Sequence, residues 1–163
     1  MTAKSDFTEE EWATLQRSPL VAGMAITLAD PGGPIEVLKE TTAVVKFATG
    51  SSSEQRDDLV GEVAREMREL AGQRKNPAAG FKPRGAMAGK EILDELSRAN
   101  EIVGAKATPG EAEAFREWIL ESAQRAAEAA KEGGFMGFRA EQVSQGEKDM
   151  LAQLRSTLGI TDA

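Results

Sequence analysis

"TPGEAEAFREWILESAQRAAEAAK", Thr108 to Lys131, carries the decision about the fold. Thr108 and Glu111 stand in the order T-x-x-E, the pattern of a capping box, in which each side chain satisfies an orphan amide of the first helical turn. Pro109 falls at the first helical position, where its missing N–H costs nothing. Beyond it, Phe115, Trp118, Ile119, Ala123, Ala126 and Ala130 recur with helical spacing and form one apolar stripe. The alanines in that stripe would let a neighbouring helix approach closely. The segment therefore reads as a long helix buried along one face.

The same grammar recurs on both sides. Thr8 with Glu11 and Ser144 with Glu147 repeat the capping box. Ser18 before Pro19, Gly33 before Pro34, and "TGSSSEQ" from Thr49 to Gln55 mark further helix starts. Stripes follow: Val60, Val63, Met67 and Leu70; Ile92, Leu96, Ala99 and Val103; Met150, Leu151, Leu154 and Leu158, closed by Gly159 as a left-handed C-cap. "TTAVVKFAT", Thr41 to Thr49, is β-branched, yet it continues the stripe Ile35, Leu38 and Val45, so it reads as helix. No segment alternates long enough to make a convincing strand. The expected architecture is all-α: one domain over residues 1–163, a bundle or orthogonal array of about seven helices. Both halves open with T-x-x-E and an aromatic-bearing helix, a hint of duplication.

Composition sets the chemical limits. A chain of 163 residues can bury roughly 70% of its unfolded surface. With 40% hydrophobic and 29% charged residues it is expected to be ordered over most of its length. Cysteine and histidine are absent, as is tyrosine. That removes disulfides, thiolate and imidazole metal sites, and the Ser-His-Asp and Cys-His triads. Catalysis would rest on carboxylates, Lys, Arg, Ser or Thr. The net charge of −7 argues against a dedicated nucleic-acid binder. "PLVAGMAITLA", Pro19 to Ala29, is only half a membrane span and follows the acidic "FTEEEW". A buried helix, no membrane insertion and a cytoplasmic location are the expectation.

Three places could carry function. "ADPGGPIEVLKE" sets Asp30, Glu36 and Glu40 around a tight turn and the helix after it, with Glu36 and Glu40 on one helical face. Hard cations such as Ca²⁺ or Mg²⁺ need several convergent oxygens, which this cluster could supply. It departs from an EF-hand, and helix-dipole complementarity alone would also favour acids there. Second, "GQRKNPAAGFKPRGAMAG" (residues 72–89) is a Gly- and Pro-rich break without an acidic residue. Its Arg74, Lys75, Lys82 and Arg84 form a basic island that could grip an anion or simply be a mobile, solvated loop. It is no P-loop, because Glu91 follows Lys90. Third, "KEGGFMGFRAEQ" places Phe135, Met136 and Phe138 in a glycine-rich turn. With Gly133 as a C-cap and Val143 in the staple position before Ser144, the turn reads as a plug over the core, the alternative being an exposed lip for a partner. Elsewhere, Glu62 and Glu66 alternate with Arg65 and Arg68 as on a solvated helix face. "EAEAFREWILE" lacks the E-x-x-H of a di-iron bundle.

"EQVSQGEKDMLAQLRSTLGI" (Glu141 to Ile160) and, more loosely, "AITLADPGGPIEVLKE" (Ala25 to Glu40) resemble the tellurite-resistance TerB-like family, and also all-helical bacterial proteins with no assigned activity. In the TerB-like pattern a short acidic turn, then Ser and Glu, opens a helix ending in Leu-Gly. The resemblance implies a small all-helical protein linked to stress response, with acidic metal-binding residues for which Asp30 and Glu36 are the matching candidates. The acidic turn expected before Ser144 is replaced here by "GFRAEQV", so a second metal position has no match. The function expected is a non-enzymatic cytoplasmic domain that binds a protein partner or a divalent cation. A metal-dependent or carboxylate-based enzyme and an anion-binding adaptor using residues 72–89 are the alternatives. No organic cofactor is expected.

Overall fold

The computed structural model describes residues 1–31, 34–131 and 143–161, apart from the side chains of Glu36 and Lys131. It is all helical, with no strand among the described residues. After a 3₁₀ turn at Lys4–Asp6 come α1 (Glu9–Ala29), α2 (Pro34–Ala48), the single-turn α3 (Ser51–Glu54) and α4 (Leu59–Gly72). A 3₁₀ turn at Gly85–Met87 then leads into α5 (Ala88–Lys106), α6 (Pro109–Lys131) and α7 (Gln145–Thr157). No described helix is long and apolar enough to cross a membrane.

The alanine-bearing stripe of α6 does what its sequence demands. Ala112, Phe115, Trp118, Ile119, Ala123 and Ala126 are buried, and α6 packs most extensively against α2 and α1. Its small side chains let both helices lie close. Phe115 and Trp118 pack with their rings tilted 58° and 5.3 Å between centroids, and the Trp118 indole N–H donates to Ser53 Oγ at 3.2 Å, tying α6 to α3. Capping boxes form at Thr8 with Glu11 and at Ser144 with Glu147, and reciprocal bonds join Thr108 and Glu111. Gly159 adopts φ 67° after α7, and the Ile160 N–H donates to the Arg155 carbonyl at 3.0 Å, closing the expected left-handed cap.

Three local readings change. Ser18-Pro19 starts no helix, because α1 runs through it. Pro19 has no N–H for the Leu15 carbonyl four residues earlier, and the Ser18 hydroxyl donates to that carbonyl instead at 2.7 Å. Because Ser18 and Leu15 are wholly buried, Ser18→Ala strips a buried carbonyl of its donor. The expected loss is about 1–3 kcal/mol in a urea titration, and unchanged stability would mean the carbonyl has found another donor. On α2, Ile35 and Leu38 are 67% and 68% exposed while Glu40, Val44 and Ala48 face the core. At about 100° per residue, Ile35 lies half a turn away from Val44. "TGSSSEQ" opens only the one turn of α3, and α4 begins instead at Asp58, whose carboxylate accepts from the Gly61 N–H at 3.1 Å.

Glu66 also departs from the solvated face expected of it. Its carboxylate accepts from Lys4 Nζ at 2.7 Å, Trp12 Nε1 at 2.8 Å and Gln16 Nε2 at 2.8 Å. Nearby, Glu111 accepts from the Thr2 N–H at 3.1 Å and the Thr2 hydroxyl at 2.6 Å. Burial pushes the Glu111 carboxyl up, but the donors on Thr2 and Thr108 outweigh it and hold the group below its ordinary range. These acids are structural clamps for the N-terminal segment.

Candidate functional site

An apolar chamber of about 720 Å³ opens between α1, α2, α4, the stretch 75–83 and the start of α5. Leu20, Gly23, Met24, Thr27 and Leu28 line it from α1, and Val37, Thr41, Val44 and Val45 from α2. Met67 and Ala71 of α4, Ala78 and Phe81 of the connecting stretch, and Ile92 of α5 close the remaining sides. The deep residues Leu20, Val44, Met67, Ala78 and Ile92 are all buried. At the mouth, Leu28 and Val37 remain 42% and 36% exposed. α2 turns only its second half fully onto the core, and there the Gly23 backbone admits Val44 closely; a Cβ on Gly23 would lie 3.0 Å from Val44 Cγ2. Volume and apolar lining both match small-molecule sites.

The basic stretch forms one wall of this chamber. Ala78 is buried, Phe81 packs against the core, and the Ala78 N–H donates to Asn76 Oδ1 at 2.9 Å to hold a tight turn. Its entry is set by the end of α4. Arg74 takes φ 58°, and the Lys75 N–H donates to the Leu70 carbonyl at 2.8 Å, a reversal that aims the chain back over the chamber. Of the four cations singled out in the sequence, Lys75 and Lys82 line the chamber, whereas Arg74 and Arg84 do not. None of the four joins an ion pair among the described residues.

A second, shallower groove of about 380 Å³ lies across the same 80–83 stretch, lined by Glu91, Asp94, Glu95 and Arg98. Lys82 lines it too and joins no described ion pair, whereas three of its other charges have partners. Glu95 pairs with Arg17 at 2.6 Å, Asp94 with Lys90, and Arg98 with Glu10 at 2.8 Å. The hydrogen bond from Arg98 holds the Glu10 carboxyl below its usual range. This is a polar seam between helices.

The three acids considered for a cation are placed differently from one another. Asp30 is exposed at the C-cap of α1, while Glu40 is 2% exposed and accepts a hydrogen bond from the Thr27 hydroxyl between α1 and α2. The Glu36 side chain lies outside the described residues. Among the described residues no group of three acidic side chains converges as a metal ligand set. Phe135, Met136 and Phe138 also lie outside them; Val143 packs against the core, but the staple position facing it, the fourth of α7, holds Lys148 rather than an apolar residue. The chamber had no sequence signature of its own. Its lining comes from five separate segments, and the nearest local hint was Gly23 inside an apolar helical run. The chain matches no family model, no curated protein and no solved structure.

Proposed function

We propose that this chain is a non-enzymatic binding domain that holds a small apolar molecule in the chamber between α1, α2, α4 and α5. The observation that carries the reading is the pairing of about 720 Å³ of space with a wall built mainly from aliphatic, methionine and phenylalanine side chains. Such a lining gains free energy by removing apolar surface from water and offers little to a polar substrate. The few polar groups around it are either at the mouth or engaged, as Thr27 is with Glu40.

Titration with the neutral dye N-phenyl-1-naphthylamine tests this reading. A probe of that size filling an apolar chamber is expected to bind with a Kd on the order of 1–10 µM and saturate at one site. Ala71 lines the chamber yet is exposed at the end of α4, so Ala71→Trp obstructs the space without disturbing the core. It should weaken the dye by at least about tenfold while the urea midpoint stays unchanged. Absence of a saturable signal, or a variant that binds like the wild type, rejects the chamber as a ligand site.

A further inference from the structure

Resting on that reading, we infer the class of ligand: a single-chain amphiphilic anion, its hydrocarbon chain in the chamber and its acidic head at the mouth between Lys75 and Lys82. Two independent features point there. The floor, formed by Leu20, Val44, Met67 and Ile92, carries no group that could satisfy a charge, so any ionised part of a ligand must stay at the opening. Among the described residues that line the chamber, Lys75 and Lys82 are the charged ones. Residues 72–90 contain no acid, in a protein with 27 acidic and 20 basic residues overall, and neither Lys75 nor Lys82 is neutralised by a described carboxylate.

The two lysines are also positioned rather than dangling from an unstructured loop. The Lys75 amide closes the reversal after α4, with its N–H on the Leu70 carbonyl. Lys82 is flanked by Phe81, which is packed on the core, and by Pro83, which itself lines the chamber. An ammonium group on a fixed backbone beside an apolar cavity favours an anion over a neutral or cationic head. Carboxylate and phosphate monoester heads share this chemistry.

Displacement of N-phenyl-1-naphthylamine by dodecanoate, dodecyl phosphate, dodecanol and dodecyltrimethylammonium, each below its critical micelle concentration, tests the assignment. One or both anions should displace the dye about tenfold better than dodecanol, and the cation should be the weakest. The stronger of the two anions identifies the head. In Lys75→Gln/Lys82→Gln the anion preference should collapse to within about twofold, with the dye's own Kd unchanged, and 0.5 M NaCl should reduce it in the wild type. Dodecanol or dodecyltrimethylammonium competing as well as both anions overturns the inference, and so does a preference that survives in the double variant. In each of those cases saturable dye binding would leave the chamber itself standing. Loss of the dye signal in the wild type would instead reject the chamber.

Discussion

Phe115→Ala is expected to lower the stability of the protein by about 3–5 kcal/mol, the cost of deleting a ring that is wholly buried. Phe115 sits on the α6 stripe and packs against Trp118, which in turn is fixed by its bond to Ser53. Removing the ring withdraws apolar burial and leaves a space that helices already in close contact cannot collapse to fill. Against a typical total of about 5–15 kcal/mol, such a loss takes a large share of the margin. Urea titration should show a lower midpoint with an unchanged slope. Phe115→Leu, which keeps more apolar volume, should lose visibly less. A Phe115→Ala protein within about 0.5 kcal/mol of the wild type would mean that this stripe does not organise the core.

Gly61→Ala should be nearly as damaging, against the usual rule for a helix. Alanine in place of a helical glycine normally gains up to about 1 kcal/mol. Here a Cβ would stand 1.9 Å from the Arg56 carbonyl oxygen and 2.8 Å from its carbon. That backbone is held in place: Arg56 pairs with Asp58 at 2.6 Å, and Arg65 donates to the Arg56 carbonyl at 3.2 Å and to the Glu54 carbonyl at 2.7 Å. The expected loss is about 3 kcal/mol, the upper end of ordinary overpacking. Gly72→Ala is the internal control, since nothing lies within 4 Å of its Cβ, and it should be neutral or slightly stabilising.

The same substitution should change the response to acid. Burial pushes the Asp58 carboxyl up, but the Arg56 side chain and the Gly61 N–H outweigh it and hold the group below its ordinary range. A depressed carboxyl contributes stability above the unfolded carboxylate range, near pH 4, and loses it as pH falls through its lowered value. With the cap displaced in Gly61→Ala, the drop in stability over that acid window should be smaller than in the wild type. An equal drop in both proteins would show that Asp58 keeps its cap despite the added methyl.

What could be read directly from residues was what acts over one turn. Thr8 with Glu11, Ser144 with Glu147 and the left-handed Gly159 declare helix ends because each cap is made by side chains or backbone within a few residues. The α6 stripe was legible for a related reason, since 3.6-residue periodicity records which side of a helix meets the core. Ser18-Pro19 was not, because the same two residues can open a helix or continue one. The continuation depends on Ser18 replacing the missing donor inside a helix already packed on α6 and α5. Ile35, Leu38 and Glu40 inverted for a similar reason: two apolar side chains face out while an acid is buried against Thr27. Only the placement of α2 relative to α1 and α6 decides which of its faces is inside. The chamber belongs entirely to the tertiary structure. Each lining residue looks like ordinary core in its own segment, and the cavity exists only where five segments fail to close on one another. A sequence written one residue at a time records contacts along the chain, whereas an empty volume is defined by the relative positions of elements distant along it.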